Sequence, residues 1–582
     1  MSKLSVEEIK AQSRGLRGRI VETIESGATH FEEEEYQLMK FHGSYQQDDR
    51  DLRPERRKQG LDKAWSFMIR SKMPGGRLTA EQYIVHDDLA EKLGNRNMRL
   101  TTRQGIQLHG ILIGGLKEVI ASVVSTGLTT WGACGDVVRN TMGPASPIDD
   151  VAHRDAQRLT EEITVIFLAK ATSYAEIWLD GEKLDLNQTQ DAPDEIYGTE
   201  YLPRKFKIGI SIPPRNDVDI FSQDIGMAPV VVDGVVTGYN LWVGGGFGMT
   251  HGMENTRPVL AKPLGFVARP HVVSAVKGIV LTQRFHGNRE DRKQSRLKYL
   301  VEKQGIEWMR EQVASHMDAG SRIEPLVPMT FTTVSDQIGW HEQGDGRLFR
   351  CVHVPQGRIE DREDGRHFRS AFRELAENLG LPSIVTPNAN LIWHDIEPAR
   401  REAVEAVLKK HGLPDESQFT AARQVGHACV ALPTCGLSLA ESERVFSGLL
   451  DSVDDILRDL GLADEPLLIR MTGCPNGCAR PYNSDIAFVG RAPKKYAMYV
   501  GGSHRGDRLA GLYQKSIGFD DIPAAIRALL EAFARDRQPG ETFTDYWGRT
   551  QEIGPEPDPM QFHLEFTERA ARRAESGGAT EG

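Results

Sequence analysis

Two patterns recur in this chain in the same order, and that recurrence limits the fold more than any other feature. Met73-Pro74-Gly75-Gly76-Arg77-Leu78 returns as Val354-Pro355-Gln356-Gly357-Arg358-Ile359, an apolar-Pro-x-Gly-Arg-apolar signature. Downstream, Thr101-x4-Ile106-x-Leu108-His109-x-Ile111 returns as Thr386-x4-Leu391-x-Trp393-His394-x-Ile396. The two offsets differ by no more than an ordinary loop insertion. One coincidence would mean little; two in order predict a duplicated module, over 61–132 and 333–412, each running strand, turn, helix, strand and packed as a pseudo-twofold pair.

At 582 residues the chain is too long for one core. The intervening region, 133–332, is predicted to be an α+β unit. Its clearest strand runs from Lys205 to Ile212, where Phe206, Ile208, Ile210 and Ile212 alternate with Lys205, Lys207, Gly209 and Ser211. Side chains leave a strand on alternate faces, so Lys205 and Lys207 share one. The run Gly244-Gly245-Gly246 with Gly248 marks a backbone approached closely by something else; it is not a dinucleotide fingerprint. A second α+β unit is predicted over 413–570, with a helix marked by Phe446, Leu449, Leu450 and Val453 and strands at 486–489 and 496–500. Residues 1–60 form an extension, helical near 5–25 and a candidate docking segment for a partner; 571–582 reads as a disordered tail.

No stretch of about 18 apolar residues is present, and the N-terminal MSKLSVEEIKAQSRGLRGRI has no continuous apolar segment of the signal-peptide kind. A cytoplasmic location is therefore expected. The net charge of −11 argues against general nucleic-acid binding. Arg50–Lys63 and Arg284–Lys298 are nonetheless rich in Arg and Lys, which on composition alone describes solvated surfaces.

Cys134 and Cys351 stand alone and read as ordinary buried thiols, whereas Cys429-x5-Cys435 and Cys474-Pro-Asn-Gly-Cys478 form a set of four. Four thiolates from two loops can hold a tetrahedral zinc or an iron–sulfur cluster. The first spacing is wider than the two to four residues usual for zinc. The prolines and glycines around the cysteines make bent loops whose N–H groups can turn towards sulfur, which favours a cluster.

The motifs His427-Ala-Cys429-Val-Ala-Leu-Pro-Thr-Cys435 and Thr472-Gly-Cys474-Pro-Asn-Gly-Cys478 resemble the paired cysteine motifs of the sulfite and nitrite reductase hemoprotein family. The resemblance covers nearly the whole chain, including Phe41-His-Gly-x-Tyr-Gln-Gln-Asp-Asp-Arg50, Arg99-Leu-Thr-x-Arg103-Gln, Tyr201-Leu-Pro-Arg-Lys-Phe-Lys207 and Val243-Gly-Gly-Gly246. It is closest to the branch that works with a separate flavoprotein, although Cys478-Ala-Arg480-Pro481-Tyr482 is also similar to the ferredoxin-dependent branch. What the resemblance implies is an α+β, three-domain siroheme reductase fold, with two duplicated ferredoxin-like half-modules around a pseudo-twofold axis. It implies that Cys429, Cys435, Cys474 and Cys478 bind a [4Fe-4S] cluster, that Cys478 also bridges to siroheme iron, and that sulfite is reduced to sulfide. By the same likeness the sulfite-binding set falls on Arg70, Arg139, Lys205 and Lys207. Siroheme carries many carboxylates; Arg99, Arg103, Gln104 and His109 are first candidates to hold them, followed by Arg50, Arg284, Arg289 and Lys293. The electron donor is then another chain, an NADPH-dependent flavoprotein or a ferredoxin. Two alternatives remain open from sequence: a nitrite reductase on the same scaffold, and a non-catalytic protein with a structural zinc or iron–sulfur site.

Overall fold

The computed structural model describes residues 4–170, 178–179, 182–183, 194–551, 559–566 and 568. The tail expected at 571–582 lies outside the described residues.

The duplication takes the form of a reciprocal strand exchange. One five-stranded sheet has the order Ser44–Asp48, Trp65–Arg70, Ile106–Ile111, Met98–Leu100 and then Arg358–Ile359, the last strand coming from the second module. Its counterpart runs Gly339–Glu342, Leu348–Val352, Leu391–Ile396, Ser383–Val385 and then Arg77–Leu78, donated by the first. The repeated Pro-x-Gly-Arg signature explains this crossing. Pro74–Gly76 and Pro355–Gly357 are single turns whose central residues, Gly75 (φ 61) and Gln356 (φ 57), are left-handed, so the chain reverses out of its own sheet into the neighbour's. Helices Ala80–Lys92 and Phe368–Glu377 pack across the pseudo-axis, where Arg369 and Arg373 grip the buried Asp87 at 2.5 and 2.7 Å. One apolar core, including Phe67, Leu108, Val352, Leu391 and Trp393, spans both modules.

The intervening unit carries a sheet in the order Lys262–Ala268, Val235–Val243, Ile225–Val232 and Ile208–Ile210. Only three residues of the strand expected over 205–212 join this ladder. Phe206 is instead held by the segment before it, accepting from Arg139 N at 2.9 Å and donating to Val137 O at 3.1 Å. Its ring is buried, so the alternation that sets Lys205 and Lys207 on the opposite face survives without the ladder. The helix expected at 5–25 is two short ones, Val6–Gln12 and Ile20–Glu25, because Gly15 and Gly18 take left-handed conformations between them. The N-terminal segment is not a free arm: Leu16, Leu38 and Phe41 are buried in the core of the intervening unit.

The last unit has a sheet in the order His427–Ala428, Ile469–Thr472, Ile486–Ala492, Lys495–Val500 and Gly511–Gly518. Helix Glu443–Asp459 buries Phe446, Leu449, Leu450 and Val453, the stripe read from sequence. Glu443, at its first turn, receives Arg358 (2.7 and 3.1 Å) and Arg99 (3.0 Å), tying both modules to this unit. Burial raises the Glu443 carboxyl, but Arg358 and then Arg99 outweigh it and bring it down to about 2. A carboxyl depressed on folding stabilises fully above its unfolded value near 4.5 and loses that contribution as pH falls through 2. The linkage is on the order of 3 kcal/mol. Urea unfolding of Glu443→Gln beside the parent is expected to show the widest gap above pH 4.5 and a closing one towards pH 2; a gap independent of pH would contradict the ion-pair reading.

Candidate active site

The four cysteines meet because of strand order. His427–Ala428 and Ile469–Thr472 are neighbouring parallel strands, and Cys429 and Cys474 lie just beyond their carboxyl ends. The loops that follow bring Cys435 and Cys478 to the same place, as the mutual electrostatic effect of the four thiols requires. Gly473 seals the two loops together. A Cβ there would lie 2.1 Å from Ser438 Oγ and 2.6 Å from Ala440 O, and its carbonyl accepts from Leu439 N (2.8 Å) and Ala440 N (3.1 Å). N–H groups turn towards sulfur: Gly473 N reaches Cys429 Sγ at 3.3 Å and Asn476 Nδ2 reaches Cys474 Sγ at 3.5 Å, while Leu437 and Ser438 donate to Cys435. Arg50 holds the first loop from outside, donating to Cys435 O (3.0 Å) and Ser438 O (2.7 Å).

Burial, and then the neighbouring Cys478, raises the Cys429 thiol and pushes Cys474 up to about 12. Four such groups become thiolates together only when a cation compensates them. Among the described residues no three His, Cys, Asp or Glu side chains close around a single ion. The thiols therefore interact at a wider spacing than one zinc uses, which suits a cluster.

Cys478 is the exposed member of the set, and its charge acts on Lys205. Lys205 and Lys207 line a basin where positive charge is in excess. Among the described residues neither ammonium has a hydrogen bond or ion pair. Burial holds both well below the ordinary lysine value, followed by Arg204 for Lys205 and by Arg103 for Lys207. Arg103 is itself pushed down to about 9, by burial and then by Arg139, and Arg204 to about 10, by burial and then by Arg292. Asp224 is the carboxylate that acts on Lys207, but it is already held by Arg296 at 2.9–3.2 Å and by Lys207 N at 2.9 Å. A basin of unpaired cations fits a polyanionic group such as a siroheme, together with a small oxyanion.

Arg70 ends strand Trp65–Arg70 and is oriented by a chain of neighbours. Its Nη1 donates to Cys134 Sγ at 3.2 Å; the Gln107 carbonyl, with its amide turned to face Arg70, accepts from Nη2 and, at 3.1 Å, from Nε. Behind Gln107 stands His109, kept neutral by burial and then by Arg358, with Nδ1 3.2 Å from Gln47 Oε1. His109 thus supports Arg70 through Gln107. Arg139 donates to Gly135 O (3.3 and 3.4 Å) and Tyr45 Oη (3.4 Å).

The remaining candidates lie elsewhere. Arg99 is tied to Glu443 and Ala428 O. Gln104 uses both ends of its amide on backbone, at Gly75 O and Gly143 N, each 3.0 Å away. Arg284 reaches Ile196 O at 3.0 Å, Arg289 binds Glu7 and Tyr201 O at 2.6 and 2.7 Å, and Lys293 is exposed. The part of that basic segment that turns inward is Arg292, on Asp136, and Arg296, on Asp224. Arg204, Asp224, Arg296 and Gln107 were not singled out from sequence; Arg204 and Arg296 were within reach, in the quoted Tyr201–Lys207 motif and the flagged basic stretch. The glycine run brings the units together as expected: a Cβ on Gly245 would lie 2.3 Å from Phe221 O, and Met249 N donates to Pro475 O at 3.0 Å. Gly473→Ala forces the cysteine loops apart at a cost of about 1–3 kcal/mol. Iron analysis of the purified variant is expected to show most of the bound metal lost; parental iron content would mean that this contact does not hold the site.

Two family models match, the nitrite/sulfite reductase ferredoxin-like half domain over residues 62–124 and the nitrite and sulphite reductase 4Fe-4S domain over 160–320. The latter stretch contains no cysteine. The sulfite reductase (NADPH) hemoprotein beta-component of Geobacillus kaustophilus is 43% identical over 560 residues, covering 96% of this chain and 97% of that protein. The protein of the same name from Staphylococcus saprophyticus is 42% identical over 559 residues, with the same coverage. The NirA structure from Mycobacterium tuberculosis superposes with a TM-score of 0.74 at 23% identity, over 94% of this chain and 97% of that one, and shares its fold. With relatives this similar along their whole length, the chain belongs to the family of sulfite reductase hemoprotein beta-components within the nitrite and sulphite reductases.

Proposed function

We propose that this protein reduces sulfite to sulfide, with a [4Fe-4S] cluster on Cys429, Cys435, Cys474 and Cys478 and a siroheme in the adjoining cationic basin. The observation that carries this reading is the pair Lys205 and Lys207, two half-buried ammonium groups without an anionic partner, facing the one exposed thiol of the set. The names of the relatives agree with it. The bound cofactors supply electrons and an open position for the sulfur atom. The balance is HSO3− plus six electrons and six protons giving HS− and three waters, so each oxygen must be protonated before it leaves.

The protein's own groups bind the anion and handle those protons. Arg70 and Arg139 present planar guanidinium groups fixed by Gln107, Cys134 and Gly135, suited to binding two oxygens at once. Lys205 and Lys207, held well below the usual lysine range by burial and neighbouring cations, keep a proton on Nζ when an oxyanion is present and release it readily to a departing oxygen. Arg103 and Arg204 are the basin cations most suitable for cofactor carboxylates. No helix among the described residues is long and apolar enough to cross a membrane, and we place the activity in the cytoplasm. The electrons come from a separate chain, by the relatives' names an NADPH-linked one and on this reading a flavoprotein, with a ferredoxin as the alternative.

Anaerobic turnover with a reduced viologen dye, with sulfite and nitrite in parallel, tests the chemistry without the partner. Sulfide formation with the higher kcat/KM for sulfite is expected. Preference for nitrite would move the substrate to nitrite on the same scaffold, and a zinc-loaded, colourless protein would overturn the enzyme reading. The same assay across pH tests the lysines. Because the ammonium form binds the oxyanion, the KM for sulfite is expected to rise as pH passes through lysine values well below 10.5. In Lys205→Arg, whose charge persists, that rise is expected at higher pH; an unchanged profile would exclude Lys205 from the binding step.

A further inference from the structure

Cys134 and Gly135 are consecutive residues, and each holds one of the two arginines of the oxyanion site. The Cys134 sulfur, fully buried, accepts from Arg70 Nη1 at 3.2 Å, while the Gly135 carbonyl accepts from Arg139 Nε and Nη2 at 3.4 and 3.3 Å. We propose that Cys134 is a positioning residue for sulfite binding: with the Gly135 carbonyl beside it, it sets the direction and separation of the two guanidinium groups. This rests on the oxyanion role given above to Arg70 and Arg139.

The turn that carries the two residues is fixed from several sides. Gly135 is left-handed (φ 85), and a Cβ there would lie 2.9 Å from the Phe41 ring. Gly132 N donates to Phe41 O at 2.8 Å. Gly43 is wedged between this turn and the arginine strand: its Cβ would stand 2.4 Å from Thr130 O and 2.8 Å from Arg70 O, and its carbonyl accepts from Arg70 N at 2.9 Å. The turn and the backbone of Arg70 therefore move as one body, and the thiol fixes the one part still free, the guanidinium.

The donor inventory gives this contact its meaning. A guanidinium has five N–H groups. With one on Cys134 Sγ and two on the Gln107 carbonyl, one remains on each terminal nitrogen. That is the pair a bidentate oxyanion requires. Sulfur is a weak acceptor, so it directs the group without competing with the negative oxygens of a substrate.

The test compares Cys134→Ala and Cys134→Ser with the parent holoenzyme, in viologen-driven sulfite reduction and in calorimetric binding of inorganic phosphate. In the alanine variant the KM for sulfite and the Kd for phosphate are both expected to rise about tenfold while kcat stays within about twofold. The serine variant, which keeps an acceptor, is expected to recover most of both. Unchanged KM and Kd in the alanine variant would overturn the proposal. So would equal losses in alanine and serine accompanied by lower siroheme content and melting temperature, the mark of a packing role. If the parent reduced no sulfite, the functional reading itself would fail, and the phosphate comparison would still decide whether Cys134 orients the arginines.

Discussion

Buried positive charge without a partner is the constraint on which the site depends. Taking an ion out of water costs several kcal/mol unless an opposite charge receives it. Lys205, Lys207, Arg103 and Arg204 share a region where the carboxylate acting on Lys207, Asp224, is already spent on Arg296. A chain keeps such a basin only if something anionic completes it. Cys478 supplies one negative group at its edge, and a siroheme with its carboxylates, plus a bound oxyanion, supplies the rest. The same field holds the lysines ready to give up protons, so binding and proton delivery come from one arrangement.

Holding like charges in place needs a stiff frame, and the strand exchange provides it. Each module completes the other's sheet, and Glu443 receives an arginine from each of them at the first turn of the helix after the cysteine loop. The backbone N–H of Glu443 donates to the Cys429 carbonyl at 3.0 Å, so the pair of modules is tied to the first cysteine directly. Gly473 and Gly245 bring further backbone together where no side chain fits. Arginines, lysines and thiols are thus supplied by different units but referred to one frame.

Much of this was legible in the sequence where the signal is local. The duplicated Pro-x-Gly-Arg pattern, the helix carrying Phe446 to Val453 and the close approach at Gly244–Gly246 follow from spacing and residue type, and all are present. The exchange of strands was not readable, since it depends on where a left-handed Gly75 or Gln356 sends the chain rather than on periodicity. The lysine pair was placed on one face by strand alternation, and it shares that face although Phe206 is held by Val137 and Arg139 rather than by the ladder. Within the basic stretch 284–298, composition could not separate Arg296, which turns to Asp224, from Arg284 and Arg289, which turn to backbone carbonyls. Cys134 read as an inert thiol because its meaning lies in a neighbour far away in sequence.

The most direct test of the central claim is the cofactor content of the protein purified without oxygen from cells that make siroheme. Iron, acid-labile sulfide and extracted tetrapyrrole are expected in the proportions of one [4Fe-4S] cluster and one siroheme per chain. Tetrapyrrole is expected to fall sharply in a Lys205→Met/Lys207→Met/Arg103→Met variant that keeps its cluster. A parent chain carrying zinc on its four thiols, or a cluster with no tetrapyrrole, would contradict the assignment of the cationic basin as the cofactor and substrate site.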